Sequence, residues 1–186
     1  MLTEKLEFIL AVLDSPKDAI ETVIFKRQPA LSLLIFLLAN FSILVSNLIN
    51  NKLDGEHFVL KYILFLILNA VVLVAGACVF HFVAELLNGK GDIISLYSLM
   101  NFSLTPLLLL IPSAVIGRFL GSDVSFVLTI FLCCWSLGFI IYAVEKLYGV
   151  PSGTAVAVVF SPVLIVLLVS FAVFILSIGG IVALLL

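Results

Sequence analysis

From Pro29 to its last residue the chain alternates long apolar runs with short polar seams, and the runs cover residues 29–49, 58–87, 93–117, 124–144 and 154–186. A hydrocarbon core about 30 Å thick takes about 20 apolar residues to cross as a helix, so each run is long enough to span a bilayer. None carries a charge near its middle, where one Lys or Asp would cost about 2.5 to 3.5 kcal/mol on the insertion scale. The pattern predicts an all-α polytopic membrane protein, a bundle of five transmembrane helices over residues 29–186. Residues 1–28 precede it with a different period. Leu2, Leu6, Ile9, Leu10 and Leu13 recur at helical spacing opposite Glu4, Glu7 and Asp14, as in an amphipathic helix. A second such helix starts at Ser15-Pro16-Lys17-Asp18, with a capping hydroxyl, proline in the first turn and an acid three residues on. Both are expected to lie in the membrane interface on the cytosolic side.

Composition supports the same solvent. Hydrophobic residues make up 64% of the chain and charged residues 11%, against roughly 25% charged in a soluble domain. With a net charge of -2 there is no basic stripe to hold nucleic acid. Cys78, Cys133 and Cys134 fall inside apolar runs, so neither a disulfide framework nor a thiolate metal site has its spacing. The start of the chain has no basic segment leading into a short apolar core with a cleavage site, and no removable signal peptide is expected.

The charges that remain set orientation. Lys5, Lys17, Lys26, Arg27, Lys90 and Lys146 fall on one side of the five runs, and Lys52, Lys61 and Arg118 on the other. Because basic residues resist translocation, the N-terminus and the second and fourth seams are expected in the cytosol and the C-terminus outside. Those two seams echo each other. Glu85-Leu86-Leu87-Asn88-Gly89 and Glu145-Lys146-Leu147-Tyr148-Gly149 share E-x-L-x-G, and each precedes a run containing a hydroxyl–proline pair, Thr105-Pro106 and Ser161-Pro162. Either two parallel hairpins repeat, or glycine simply caps both helices.

Candidate chemistry is sparse. His81 and Glu85 stand four apart at headgroup level and read as a helix-end anchor pair. The rival reading, a metal site of His81, Glu85, Asp92 and Glu145, lacks the H-E-x-x-H spacing. There is no G-x-S-x-G elbow, so no catalytic residue, cofactor or metal is assigned and the chain is read as a non-enzyme. The third run is the least regular: Asn101, Ser103 and Thr105 lead into Pro106, and Pro112 is expected to repeat the break. This intramembrane polar set either packs a kinked helix or lines a transport path. Asn40, Asn47 and Asn69 read as interhelical hydrogen-bonding groups, and Gly76, Gly138, Gly179 and Gly180 as close-contact positions.

The run from Phe82 to Asp92, followed by Ser103-Leu104-Thr105-Pro106-Leu107-Leu108, resembles the Yip family of Ypt/Rab-interacting membrane proteins. Gly89, Ser103 and Pro106 match its glycine turn and its small residue and proline before leucines. Trp135 through Tyr142, and the seam before Ala155 and Ala157, look like its penultimate span and last loop. The resemblance covers nearly the whole chain and implies five spans with a cytosolic N-terminus. Eukaryotic members are implicated in binding prenylated Rab GTPases; this chain lacks their long N-terminal domain and looks more like short prokaryotic members in a plasma membrane. The expected role is a membrane organiser or adaptor. Glu85, Gly89, Lys90, Asp92, Glu145, Tyr148 and Gly149 would face a membrane or cytosolic protein partner. Membrane lipids surround the rest, and a second copy of the chain is an open alternative. The rival role is a small transporter or lipid-handling protein built on the broken third span.

Overall fold

The computed structural model describes residues 29–50, 53 and 55–185, with side chains as far as residue 176. The two amphipathic helices expected before Pro29 lie outside the described residues. Every described element is helical: α1 (Pro29–Ile49), α2 (Phe58–Leu86), α3 (Ile93–Phe102), a 3-10 segment (Thr105–Leu109), α4 (Leu110–Leu120), α5 (Ser122–Tyr148) and α6 (Ser152–Leu185). Hydrocarbon offers no hydrogen bonds, so a helix that bonds its own backbone is the spanning solution open to such runs. Five spans are long and apolar enough to cross a membrane, with α3, the 3-10 segment and α4 together making the third. That third span runs to Leu120, and α5 starts at Ser122 after the single residue Gly121 at φ 107°. The seam expected there is therefore a one-residue turn in a backbone region open to glycine. Gly117 permits the hairpin, because a Cβ there would collide with Ser125.

The broken span sits at the centre. Half of its most apolar window is buried, against 11% for α2 and 17% for α6. Its partners are α1, α2 and α5. The main apolar cluster lies toward the end of the bundle where α1 and α6 begin and α2 and α5 finish: Leu31 and Ile35, Ala77 to Ala84, Leu96 and Leu99, Phe139 to Tyr148, and Ala155 to Val159. Beyond Ser161, α6 has exposed apolar residues along its described length, from Val163 to Leu176; in a bilayer that surface meets lipid.

How the third span meets the backbone carbonyls released at its break is visible bond by bond. Pro106 has no N–H to give to the Phe102 carbonyl, and the Thr105 hydroxyl donates to that carbonyl instead, at 2.6 Å. Pro112 likewise leaves the Leu108 carbonyl unmet by its own helix. Ser42 of α1 donates to it at 3.1 Å and accepts the Ile111 N–H at 3.3 Å. The Ser103 carbonyl takes the Ser136 hydroxyl of α5 at 2.5 Å. Pro112 itself lies in the first turn of α4, where a proline needs no hydrogen bond. The two prolines thus make one interruption, over residues 103–109, rather than two kinks. In α6 the first device recurs: Pro162 frees the Val158 carbonyl, and Ser161 donates to it at 2.6 Å.

Two expectations about packing are corrected. Asn40 and Asn69 do not bridge helices; each donates Nδ2 to the carbonyl four residues back in its own helix, Phe36 at 2.7 Å and Phe65 at 2.8 Å. In lipid the nearest acceptor is the helix that carries the side chain. Links between elements run instead through Ser42, Ser136, Tyr62 to the Leu37 carbonyl, and Arg118 to the Ile49 carbonyl. Gly138 is not a close-contact position, since a Cβ there would meet nothing within 4 Å.

Removing a hydroxyl that caps an orphaned carbonyl costs about 1 kcal/mol or more, the net worth of such a bond plus the stranded acceptor. Ser42→Ala and Thr105→Val are each expected to lower the thermal unfolding midpoint in lipid nanodiscs. Ser170→Ala, on the exposed part of α6, changes stability by less than about 0.5 kcal/mol.

Candidate functional site

The second and fourth seams meet at one end of the bundle, joined by side chain and backbone alike. α2 ends in a left-handed turn whose φ > 0 residue is Asn88, at 64°, not the glycine beside it. The Asn88 N–H bonds the Glu85 carbonyl at 3.0 Å and the Gly89 N–H bonds the Ala84 carbonyl at 2.8 Å, the paired closure of a Schellman turn. α5 ends one residue later in its motif, with Gly149 itself at φ 64°. The shared E-x-L-x-G spelling therefore covers two turns of different register, which weakens the repeat; glycine takes the left-handed position after α5, and Asn88 takes it after α2.

Tyr148 holds the two seams together. Its side chain is 3% exposed, and its ring lies against Gly89 and Gly91. A Cβ on Gly91 would fall 2.7 Å from two ring carbons, and one on Gly89 3.1 Å from the ring. The bare backbone at both positions is what lets the ring in. The Tyr148 hydroxyl is 2.7 Å from His81 Nδ1 on α2. The Tyr148 carbonyl accepts the Lys90 N–H at 3.1 Å. His81 Nε2 in turn stands 3.4 Å from Glu85 Oε1, an acid whose side chain is 58% exposed. One residue thus ties α2 through its side chain and the following seam through its main chain.

Above this joint sits an open groove of about 580 Å³ lined by Glu85, Gly89, Lys90, Gly91, Asp92, Ser95 and Leu147. Asp92 caps α3, accepting the Ser95 N–H at 3.1 Å and the Ser95 hydroxyl at 2.9 Å. Glu145 accepts the Ser152 hydroxyl at 2.6 Å across the fourth seam, and Lys146 Nζ lies 5.5 Å from the Tyr142 ring centre. Of the seven residues named from the sequence, Gly89 and Tyr148 are buried, Asp92 and Glu145 are half-buried, and Glu85, Lys90 and Gly149 are exposed; Glu145, Tyr148 and Gly149 are not part of the groove's lining. The surface carries both signs of charge, suited to orienting a polar partner. No group of three or more metal-ligating side chains comes together among the described residues.

The intramembrane polar set is packed away. Asn101 and Thr105 are wholly buried, and Ser103 and Pro106 are buried beside them. Ser103 spends its hydroxyl on the Met100 carbonyl at 2.7 Å. The Asn101 amide has no hydrogen-bond partner among the described residues. An apolar groove at this depth takes Met100 and Leu104 from the third span as its lining, not these four.

Sequence reading paired His81 with Glu85 but missed Tyr148 as their third member. The signal was present in two places: glycines at 89 and 91 flanking Lys90, and an aromatic residue one place before Gly149 on the same predicted side.

The family model described as the Yip1 domain matches residues 10–185. No curated protein and no solved structure matches.

Because the ring fills the space a side chain would need, Gly91→Ala is expected to cost about 1 to 3 kcal/mol by overpacking. Tyr148→Phe keeps the packing and loses one hydrogen bond, about 1 kcal/mol. Unfolding midpoints in nanodiscs should fall for both, and further for Gly91→Ala.

Proposed function

The chain belongs to the Yip1-domain family, and on that premise we propose that it is a membrane organiser. It recruits a protein partner to the surface formed by the α2–α3 and α5–α6 seams. The observation that carries this reading is the burial of Tyr148 between Gly89 and Gly91 with its carbonyl on the Lys90 N–H. Two loops from different hairpins are thereby held as one preorganised surface, and preorganisation lowers the ordering cost of binding. Glu85, Lys90, Asp92 and Glu145 ring that surface and supply the charge pattern that selects and orients a partner. The excess of Lys and Arg on this side supports a cytosolic orientation, with the N-terminus on the same side and the C-terminus opposite. The role is that of an adaptor rather than an enzyme.

A transporter would turn polar groups of the broken span toward a water-filled path. The hydroxyls of Ser103 and Thr105 are committed to the carbonyls of their own span. The Asn101 amide, which has no hydrogen-bond partner among the described residues, is wholly buried and lines neither groove, which leaves the adaptor reading the better supported.

Chemical cross-linking in native membranes should capture a reproducible protein partner. Charge reversal by Lys90→Glu or Glu145→Lys is expected to reduce its capture about tenfold or more, because like-charge juxtaposition costs several kcal/mol and 1.4 kcal/mol is a factor of ten. Lys90→Glu should keep the wild-type unfolding midpoint, and Glu145→Lys, which loses the bond from the Ser152 hydroxyl, should lower stability by no more than about 1 kcal/mol. A partner retained equally by both reversals, or no partner at all, contradicts the proposal.

A further inference from the structure

A second concavity lies within the membrane-spanning part of the molecule, away from the seam surface. It is a groove of about 520 Å³ between α1, α2, α3 and α6, and its walls are almost wholly apolar. We infer that it holds one acyl chain of a membrane lipid, drawn from the leaflet on the His81 side. Three observations carry the assignment.

The first is depth. Along α2 the groove runs from Phe80, next to His81 where polar residues begin, down to Asn69. Eleven residues of helix rise roughly 16 Å at 1.5 Å each, about half of a 30 Å hydrocarbon core. That is the depth of a single leaflet, so a chain lying along α2 would bring its headgroup to the level of His81 and Glu85 while its tail ended near the midplane.

The second is the wall. Gly76 contributes no side chain, and a Cβ there would meet Met100 Cε at ordinary contact distance, 3.4 Å. The wall is therefore low at residue 76, where a large side chain would project into the groove. Met100 and Leu104 form its floor, and Val72, 61% exposed, stands at its mouth. The mouth opens sideways, where lipid is the solvent, and a chain can enter without crossing a polar barrier.

The third is the inner end. Asn40 and Asn69 line it, yet each amide nitrogen is already bonded to a carbonyl of its own helix. An alkyl chain can lie beside them without taking those amide nitrogens from their acceptors. A whole second helix, 10 to 12 Å across with its side chains, is too wide for a concavity of this volume; a single chain is not.

The test uses a phospholipid with a photoactivatable diazirine in its acyl chain, reconstituted with the full-length protein. Irradiation and peptide mapping should place label on Met100 of α3 and on Leu104 two residues beyond its end, as well as on the exposed α6 residues between Val163 and Leu176. Gly76→Phe should abolish the α3 label and leave the α6 label unchanged. Val79→Trp, a second way of filling the same groove, should do likewise if Gly76→Phe fails to fold. An unlabelled α3 beside a labelled α6 in the wild-type protein would overturn the assignment. So would α3 labelling that survives both fillings.

Discussion

A backbone carbonyl released inside hydrocarbon has no water to turn to, and the fold answers that constraint one group at a time. The chain interrupts its most buried span with two prolines and meets the freed carbonyls with hydroxyls. Thr105 serves the Phe102 carbonyl within the span, Ser42 of α1 serves Leu108, and Ser136 of α5 serves Ser103. The last two come from neighbouring helices. The interruption therefore places the third span between α1 and α5 by hydrogen bonds as well as by packing, in a solvent where apolar contact alone gives little preference for one neighbour over lipid.

The same logic reaches the end of the bundle. The turns that follow α2 and α5 must leave the helix, satisfy their own carbonyls and stay compact. Asn88 and Gly149 adopt left-handed backbone to do so. Once turned, the second seam lends its Lys90 N–H to the Tyr148 carbonyl, and Gly89 and Gly91 open the space that the Tyr148 ring fills. A surface that could serve recruitment thus follows from closing backbone bonds at a membrane boundary. Its charges stand on a rigid base.

Five spans, their apolar lengths and the broken third run were all legible in the sequence, because hydropathy and proline position are local signals that lipid makes nearly decisive. The hydroxyl–proline pairs were legible as a pattern but not as a mechanism; Thr105 and Ser161 turn out to serve the carbonyl three residues back, a purely local device needing no internal repeat. Asn40 and Asn69 were misread as bridges, since sequence does not tell whether an amide will choose its own helix or the next. Ser42, Ser136 and Tyr148 were not assigned their bonding partners at all. Each meets a group 33 to 67 residues away in the chain, and only the folded bundle brings those positions together. Gly138 and Gly91 make the same point from opposite sides, one glycine facing open space and the other facing a ring.

The central claim is that the two seams are one structural unit joined at Tyr148. Lys90 has an exposed side chain and sits in a short polar seam, where a backbone amide would ordinarily exchange its hydrogen quickly, yet its N–H is bonded to the Tyr148 carbonyl. Residue-resolved hydrogen exchange of the protein in lipid nanodiscs reads that bond directly. The account predicts that the Lys90 amide is protected to the level of the amides inside α3, well above its seam neighbour Gly91. A Lys90 amide that exchanges as fast as Gly91 would mean that the seams move independently, and that no joined surface exists.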